Sequence, residues 1–253
     1  MGLFDWLRGL LAALFGSTPS EPDEPDEPDE PTYPTEWTKT AFDTPEVHIA
    51  LYSSRALLEA NGRAPEVVAG RYLANALEHA GLNYRIRRGF EPVDVDFEGQ
   101  RETLRLWRRA DREWTAKDAN VLLTDRLGGG LAAVGGKFGY APGGRIDRVV
   151  DWEATSDSQL HRNVHAVLHE VGHMLGAEHD HADDEEGRQH PGMGWNEGGY
   201  WHRTPTVAGN GYPNRCGEPV EAKASDRVMR HQIYHDCFRE HLRVAPAEDG
   251  DPV

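Results

Sequence analysis

Only two of the 253 residues are cysteines, Cys216 and Cys237, so one bridge at most is available and a disulfide-built scaffold is excluded. Lysine is almost as scarce, with Lys39, Lys117, Lys137 and Lys223 the only ones among 27 basic residues. Acidic residues number 43, and the formal charge of −16 repels phosphate backbones and anionic membrane surfaces, which argues against a nucleic-acid partner. Much acid with little lysine fits a halophilic surface, on which hydrated carboxylates keep the chain soluble in salt. No apolar run approaches the roughly 18 residues that cross a bilayer as a helix. With 38% hydrophobic residues, 27 Gly and 16 Pro, the chain is neither a fibre nor wholly disordered, and most of it is expected to fold.

The first residues differ from the rest. Leu3, Phe4, Trp6, Leu7, Leu10, Leu11, Leu14 and Phe15 recur at helical spacing and predict an amphipathic helix over 1–16. Such a helix suits an export signal, an anchor touching a membrane surface through residues 3–15, or a packing element. Residues 17–43 contain the repeated acidic proline tract from Glu21 to Pro31, which predicts an extended linker because like charges repel and proline fixes φ. A folded domain is expected over 44–243, divided into an upper part, 44–182, and a lower part, 183–243, with a disordered tail at 244–253.

Within the upper part, strands and helices alternate. Buried strands are expected at Val47–Tyr52, Asn83–Arg88, Asn120–Thr124 and Ile146–Val150, and an edge strand at Leu131–Val134 inside a glycine-rich stretch, 128–144. Helices are expected at Pro65–Ala80, closed by Gly81, and at Arg101–Lys117. Strands alternating with helices imply an α/β architecture with a mixed, twisted sheet of about five strands.

The chemistry is concentrated in His169-Glu170-Val171-Gly172-His173-Met174-Leu175-Gly176-Ala177-Glu178-His179-Asp180. Ser156 with Gln159 three residues on forms the N-terminal signal of a long helix. His169 and His173, four apart, are offset by about 40° and one turn, so both imidazoles can reach one ion. Glu170 points about 100° away, beside the metal as a base rather than on it as a ligand. Gly176 is a natural helix stop, after which His179 returns as a third ligand. Three neutral imidazoles leave a tetrahedral zinc with one open corner, the catalytic rather than the structural arrangement. Chance occurrence of the full pattern in a chain with 13 histidines is on the order of 10⁻³ or less.

This pattern resembles the extended zinc-binding motif of the metzincin clan of metallopeptidases, and Asp180 after the third His looks like the adamalysin branch. The order of strands and helices ahead of the motif is similar to the metzincin upper subdomain, so the likeness spans roughly 44–182. The resemblance implies a metzincin-like fold with two long helices, an active-site helix and an irregular C-terminal subdomain. It also implies a zinc cofactor, polypeptide substrates, endopeptidase activity with Glu170 as general base, and a methionine turn beneath the metal. Met229 is the preferred methionine and Met193 the alternative; at 231, where some metzincins place a tyrosine ligand, this chain has His. No cysteine precedes Cys216, which excludes latency by an upstream cysteine. Two cysteines also cannot supply the second zinc site of the archaeal metzincin aminopeptidases.

A bridge between Cys216 and Cys237 would close a loop of about 21 residues and stabilise by about 3 kcal/mol. It would fit an oxidising compartment; two buried thiols are the alternative. His161 and His165 extend the histidine ladder upstream and are read as capping or polarising the long helix rather than as a second metal site, since no carboxylate stands at ligand spacing with them. The acidic run from Asp180 to Glu186 reads as a solvated face rather than a calcium loop. A monomer at the cell surface or outside it is expected, with a membrane-associated cytoplasmic protein as the alternative. The competing functional reading is a zinc-containing surface-binding protein without turnover.

Overall fold

The computed structural model describes residues 33–95, 97–126, 129–146, 155–156, 161–177, 194–197, 200–203 and 227–234. The expected N-terminal helix, most of the acidic tract and the C-terminal tail lie outside them.

The main sheet has six strands in the order β1 (Glu36–Lys39), β3 (Asn83–Arg88), β2 (Glu46–Ser53), β4 (Ala119–Thr124), β6 (Phe138–Pro142), β5 (Leu131–Ala132). The four inner strands run parallel, and the outer strands β1 and β5 are antiparallel to their neighbours. Parallel strands need both faces covered. Accordingly β4, Ala-Asn-Val-Leu-Leu-Thr, is buried along its whole length.

On one face, Val47, Ile49, Leu51, Ile86, Val121 and Leu123 pack with α2 (Ala64–His79) and α4 (His161–Met174) in a single core. On the other, Ala50, Tyr52, Leu122 and Tyr140 pack with Leu104 and Trp107 of α3 (Gln100–Arg109). A short α1 (Arg55–Asn61) is opened by Ser54, whose hydroxyl accepts from Leu57 N at 3.3 Å. Pro65 stands in the first turn of α2 and Gly81 adopts φ 68° just beyond it, as their positions in the sequence require. This is an α/β fold with helices on both sheet faces, as expected.

Four details differ. The linker expected to reach residue 43 ends earlier, because Glu36–Lys39 pairs with Arg87–Tyr84 and becomes the sheet's edge. The second helix ends at Arg109 rather than near Lys117. There Arg112 turns back to donate to the carbonyls of Arg108 (2.7 Å) and Ala110 (3.1 Å), with its guanidinium 4.5 Å from the rings of Trp107 and Phe138. The glycine-rich stretch supplies an inner strand, β6, as well as the shorter edge strand β5. Gly139 permits it: a Cβ there would sit 2.8 Å from Ala132 Cβ and 3.1 Å from Met174 Cε, so the helix–sheet approach needs a bare backbone.

The fourth lies in the region expected to be irregular. A second, four-stranded sheet has the order β7 (Thr155–Ser156), β10 (Arg227–His231), β9 (Tyr200–Arg203), β8 (Gly194–Glu197). Between β8 and β9 the sequence has Gly198-Gly199, the two-residue signature of a tight hairpin. The expected strand at Ile146–Val150 is described only at Ile146.

Candidate metal centre

Helix α4 carries the motif. Its Val164, Val167, Leu168, Val171 and Met174 are fully buried and recur at intervals of three and four, which fixes the rotation of the helix on the sheet. Tyr234 adds a second anchor by donating its hydroxyl to the Leu168 carbonyl at 2.8 Å. With that stripe turned inward, His169, Glu170 and His173 emerge together. The two imidazoles lie with ring centroids 4.7 Å apart and planes at 89°. His169 is partly exposed and His173 is 6% exposed.

The end of the helix is chemically part of the site. Gly176 adopts φ 98°, a left-handed conformation costly for any residue with a Cβ. This lets Gly176 N donate to His173 O (2.9 Å) and Ala177 N to Gly172 O (3.0 Å), closing the helix with two backward bonds. The same reversal brings Ala177 O to 2.9 Å from His173 Nδ1. A carbonyl only accepts, so Nδ1 carries the proton and the lone pair resides on Nε2. Metal-binding histidines are oriented by this kind of bond.

Strand β5 and the loop that follows it close the other side. Gly135 N donates to His173 O at 2.8 Å, and the Ala132 N–H donates to the Glu170 carboxylate. Glu170 is 5% exposed, and burial pushes its carboxyl up to about 8, only partly opposed by that amide. Tyr140 is also raised, to about 12, by burial and then by the nearby Glu170 charge.

Gly130 makes the room that Glu170 occupies. A Cβ at 130 would lie 2.5 Å from Glu170 Cγ, 2.6 Å from Tyr140 O and 2.8 Å from Glu170 Oε1. The neighbouring backbone cannot yield cheaply, so Gly130→Ala must displace the carboxylate. Its kcat/KM on a peptide is expected to fall by about 10²-fold with zinc content unchanged; an unaltered kcat/KM would show that the position of Glu170 is not critical.

The buried carboxyl also gives the metal-free protein a distinctive pH response. An unfolded Glu titrates near 4.5, whereas the folded one holds its proton to about 8. Between those values the folded state binds more protons, so unfolding free energy falls as pH rises, with a slope approaching about 1.4 kcal/mol per pH unit. Urea melts of metal-free protein at several pH values should show this slope, and Glu170→Gln should remove it. An identical slope in the variant would contradict the assignment.

Among the described residues no third metal-ligating side chain joins His169 and His173. His179, Asp180, Met193, Cys216 and Cys237 lie outside the described residues. Met229 is described in backbone only; it stands inside β10 opposite His202 of β9 rather than in a turn. The contributions of Gly130, the Ala132 amide and the Ala177 carbonyl escape the motif, although the glycine content of 128–144 marks that stretch as one where backbone approaches something closely.

Two neighbouring imidazoles, a fixed His173 tautomer and a buried carboxyl on one helix are the kinds of group from which a metal centre is built. Residues 97–202, which contain the whole motif, are similar to the family model Reprolysin_5, Metallo-peptidase family M12. No curated protein matches the sequence. Among solved structures, the crystal structure of archaemetzincin from Methanopyrus kandleri is similar at 18% identity, covering 55% of this chain and 79% of that one, with a TM-score of 0.31.

Proposed function

We propose that this metallopeptidase is a zinc-dependent endopeptidase, with zinc held by His169, His173 and His179 and with Glu170 as general base. The observation that carries the reading is Glu170: a carboxyl buried between the imidazole pair and the β5 strand, where it costs stability unless it has work to do. The residues fit zinc, since imidazole suits that ion and His173 has its proton on the nitrogen turned to Ala177.

When bound, zinc would supply Lewis acidity, lowering the pKa of a water ligand toward about 7 and polarising the scissile carbonyl. The chain's own contributions follow from its contacts. Glu170 accepts the proton of the attacking water and returns it to the departing amine. The Ala132 N–H keeps its carboxylate on the cleft side while that proton is held. Strand β5, the outer strand on the side of the sheet next to Glu170, offers a backbone edge on which an extended polypeptide can pair.

A casein assay tests this. A zinc chelator should abolish cleavage, and equimolar zinc should restore it. Cleavage that continues in the metal-free protein would refute the proposal.

A further inference from the structure

We propose that the chain carries a second binding site, on the sheet face opposite the catalytic helix, for a carboxylate-rich peptide segment. The polypeptide nature of this ligand rests on the peptidase reading; its negative charge rests on the site itself.

The site is a cavity of about 380 Å³ whose lining includes His48, Arg85, Arg87, Trp114, Thr115 and Lys117. Its position follows from strand alternation. Val47, Ile49 and Leu51 of β2, with Tyr84 and Ile86 of β3, point into the core shared with α4. His48, Arg85 and Arg87 therefore face the other way, with His48 opposite Arg85 and Ala50 opposite Arg87. Helix α3 packs on β5 and β6, and the hollow over β2 and β3 is walled by residues 114–117.

The charge of this cavity is the reverse of the protein's. In a chain of formal charge −16, two arginines, a lysine and an imidazole line one hollow, and the lining contains no carboxylate. The acids that touch these cations stand outside it. Arg85 Nε lies 3.3 Å from Glu46 and 3.7 Å from Glu36, and Arg87 Nε 3.9 Å from Glu36. Lys117 is 3.8 Å from the buried Asp118, whose carboxylate already accepts from His48 N at 2.7 Å. His48 Nε2 is held closely by Glu46 Oε1 at 2.6 Å, whereas the pairs of Arg85, Arg87 and Lys117 are 3.3 Å or longer and their cationic side chains are about half-exposed, so these three are the groups an incoming carboxylate engages.

The aromatic wall narrows the ligand class. Arg87 covers the Trp114 ring at 4.7 Å and Tyr52 packs against it at 5.8 Å, so the indole is already engaged by two neighbours rather than open to stack a nucleobase. What the site offers is a row of charge-assisted donors along two adjacent strands. Successive carboxylates on an extended peptide match such a row better than one compact anion.

The test is fluorescence anisotropy of a dye-labelled hexaglutamate peptide titrated with the full chain bearing Glu170→Gln, which prevents turnover of the probe. Saturable binding that weakens as salt is added is expected, with the double reversal Arg87→Glu, Lys117→Glu weakening it at least about tenfold. Should that variant lose its native circular dichroism, Lys117→Gln, on a half-exposed side chain, is expected to weaken binding by about threefold. Equal affinity in a folded variant, no binding at low salt, or displacement of the peptide by free phosphate at matching concentration would each overturn the proposal. Because the readout needs no cleavage, its failure leaves the peptidase reading standing, and a failure of the chelator assay leaves the cationic hollow standing.

Discussion

Glu170→Gln is expected to lower kcat on a peptide substrate by about 10²–10⁴-fold while the chain keeps its zinc and its fold. Glutamine has the size and shape of glutamate and can still meet the Ala132 amide through its carbonyl oxygen, so the pocket beside Gly130 stays filled. What it lacks is a site that can take a proton from water and release it to the amine. The imidazoles are untouched, and the bond from His173 Nδ1 to Ala177 O continues to orient that ring. The separation of effects is the informative part: lost turnover with retained metal assigns a proton-transfer role, whereas lost metal would assign a structural one. A variant that cleaves as fast as the parent would remove Glu170 from the mechanism.

The largest expected effect on stability lies far from that chemistry. Glu66, in the first turn of α2, is fully buried, with Arg63 Nη1 at 3.1 Å and 3.3 Å from its two oxygens and Arg88 Nη1 at 3.6 Å. Burial raises its carboxyl above the ordinary range against the pull of Arg63, then Ser53 and Arg88. The amides of the helix N-terminus favour the same negative charge. Arg63 in turn donates to the carbonyls of Gly89 and Phe90, tying α2 to the end of β3. Glu66→Ala leaves two guanidinium groups, 22% and 11% exposed, without their counter-charge, at a cost of about 3–5 kcal/mol. Urea denaturation measures this, and a loss below about 1 kcal/mol would show that the arginines find other partners. Activity per folded molecule should be unchanged, since the partners of Glu66 are Arg63, Ser53 and Arg88, none of them on α4.

Some of this molecule is written locally in its sequence. Strand β4 is a short apolar run buried on both faces, and β2 is buried from Ile49 to Ser53; burial of that kind leaves a continuous hydrophobic signal. Pro65 and Gly81 bracket α2 because each suits one end of a helix and not its interior. Gly176 ends α4 for the same reason, and the four-residue spacing of His169 and His173 places their rings face to edge without help from the rest of the fold.

Other features depend on distant partners and leave no local trace. Edge strand β1, Glu-Trp-Thr-Lys, is a strand only because β3 offers it hydrogen bonds. Helix α3 stops early because Arg112 finds two carbonyls and two aromatic rings, a choice invisible in a helical run of Arg, Trp and Ala. Strand β6 hides in a glycine-rich stretch because its glycine is required by the approach of Met174 from another element. The groups that support the site are of this kind too: the Ala132 amide of β5 meets the Glu170 carboxylate and the Gly135 amide of the following loop meets the His173 carbonyl, each from some 35 to 40 residues earlier in the chain.

The metal content of purified full-length protein tests the central claim most directly. One equivalent of zinc per chain is expected in the parent and in Glu170→Gln, and close to none in folded His173→Ala, because that substitution removes one of the two imidazoles α4 presents side by side. A parent chain without zinc, or a His173→Ala chain that retains it in full, would contradict the account.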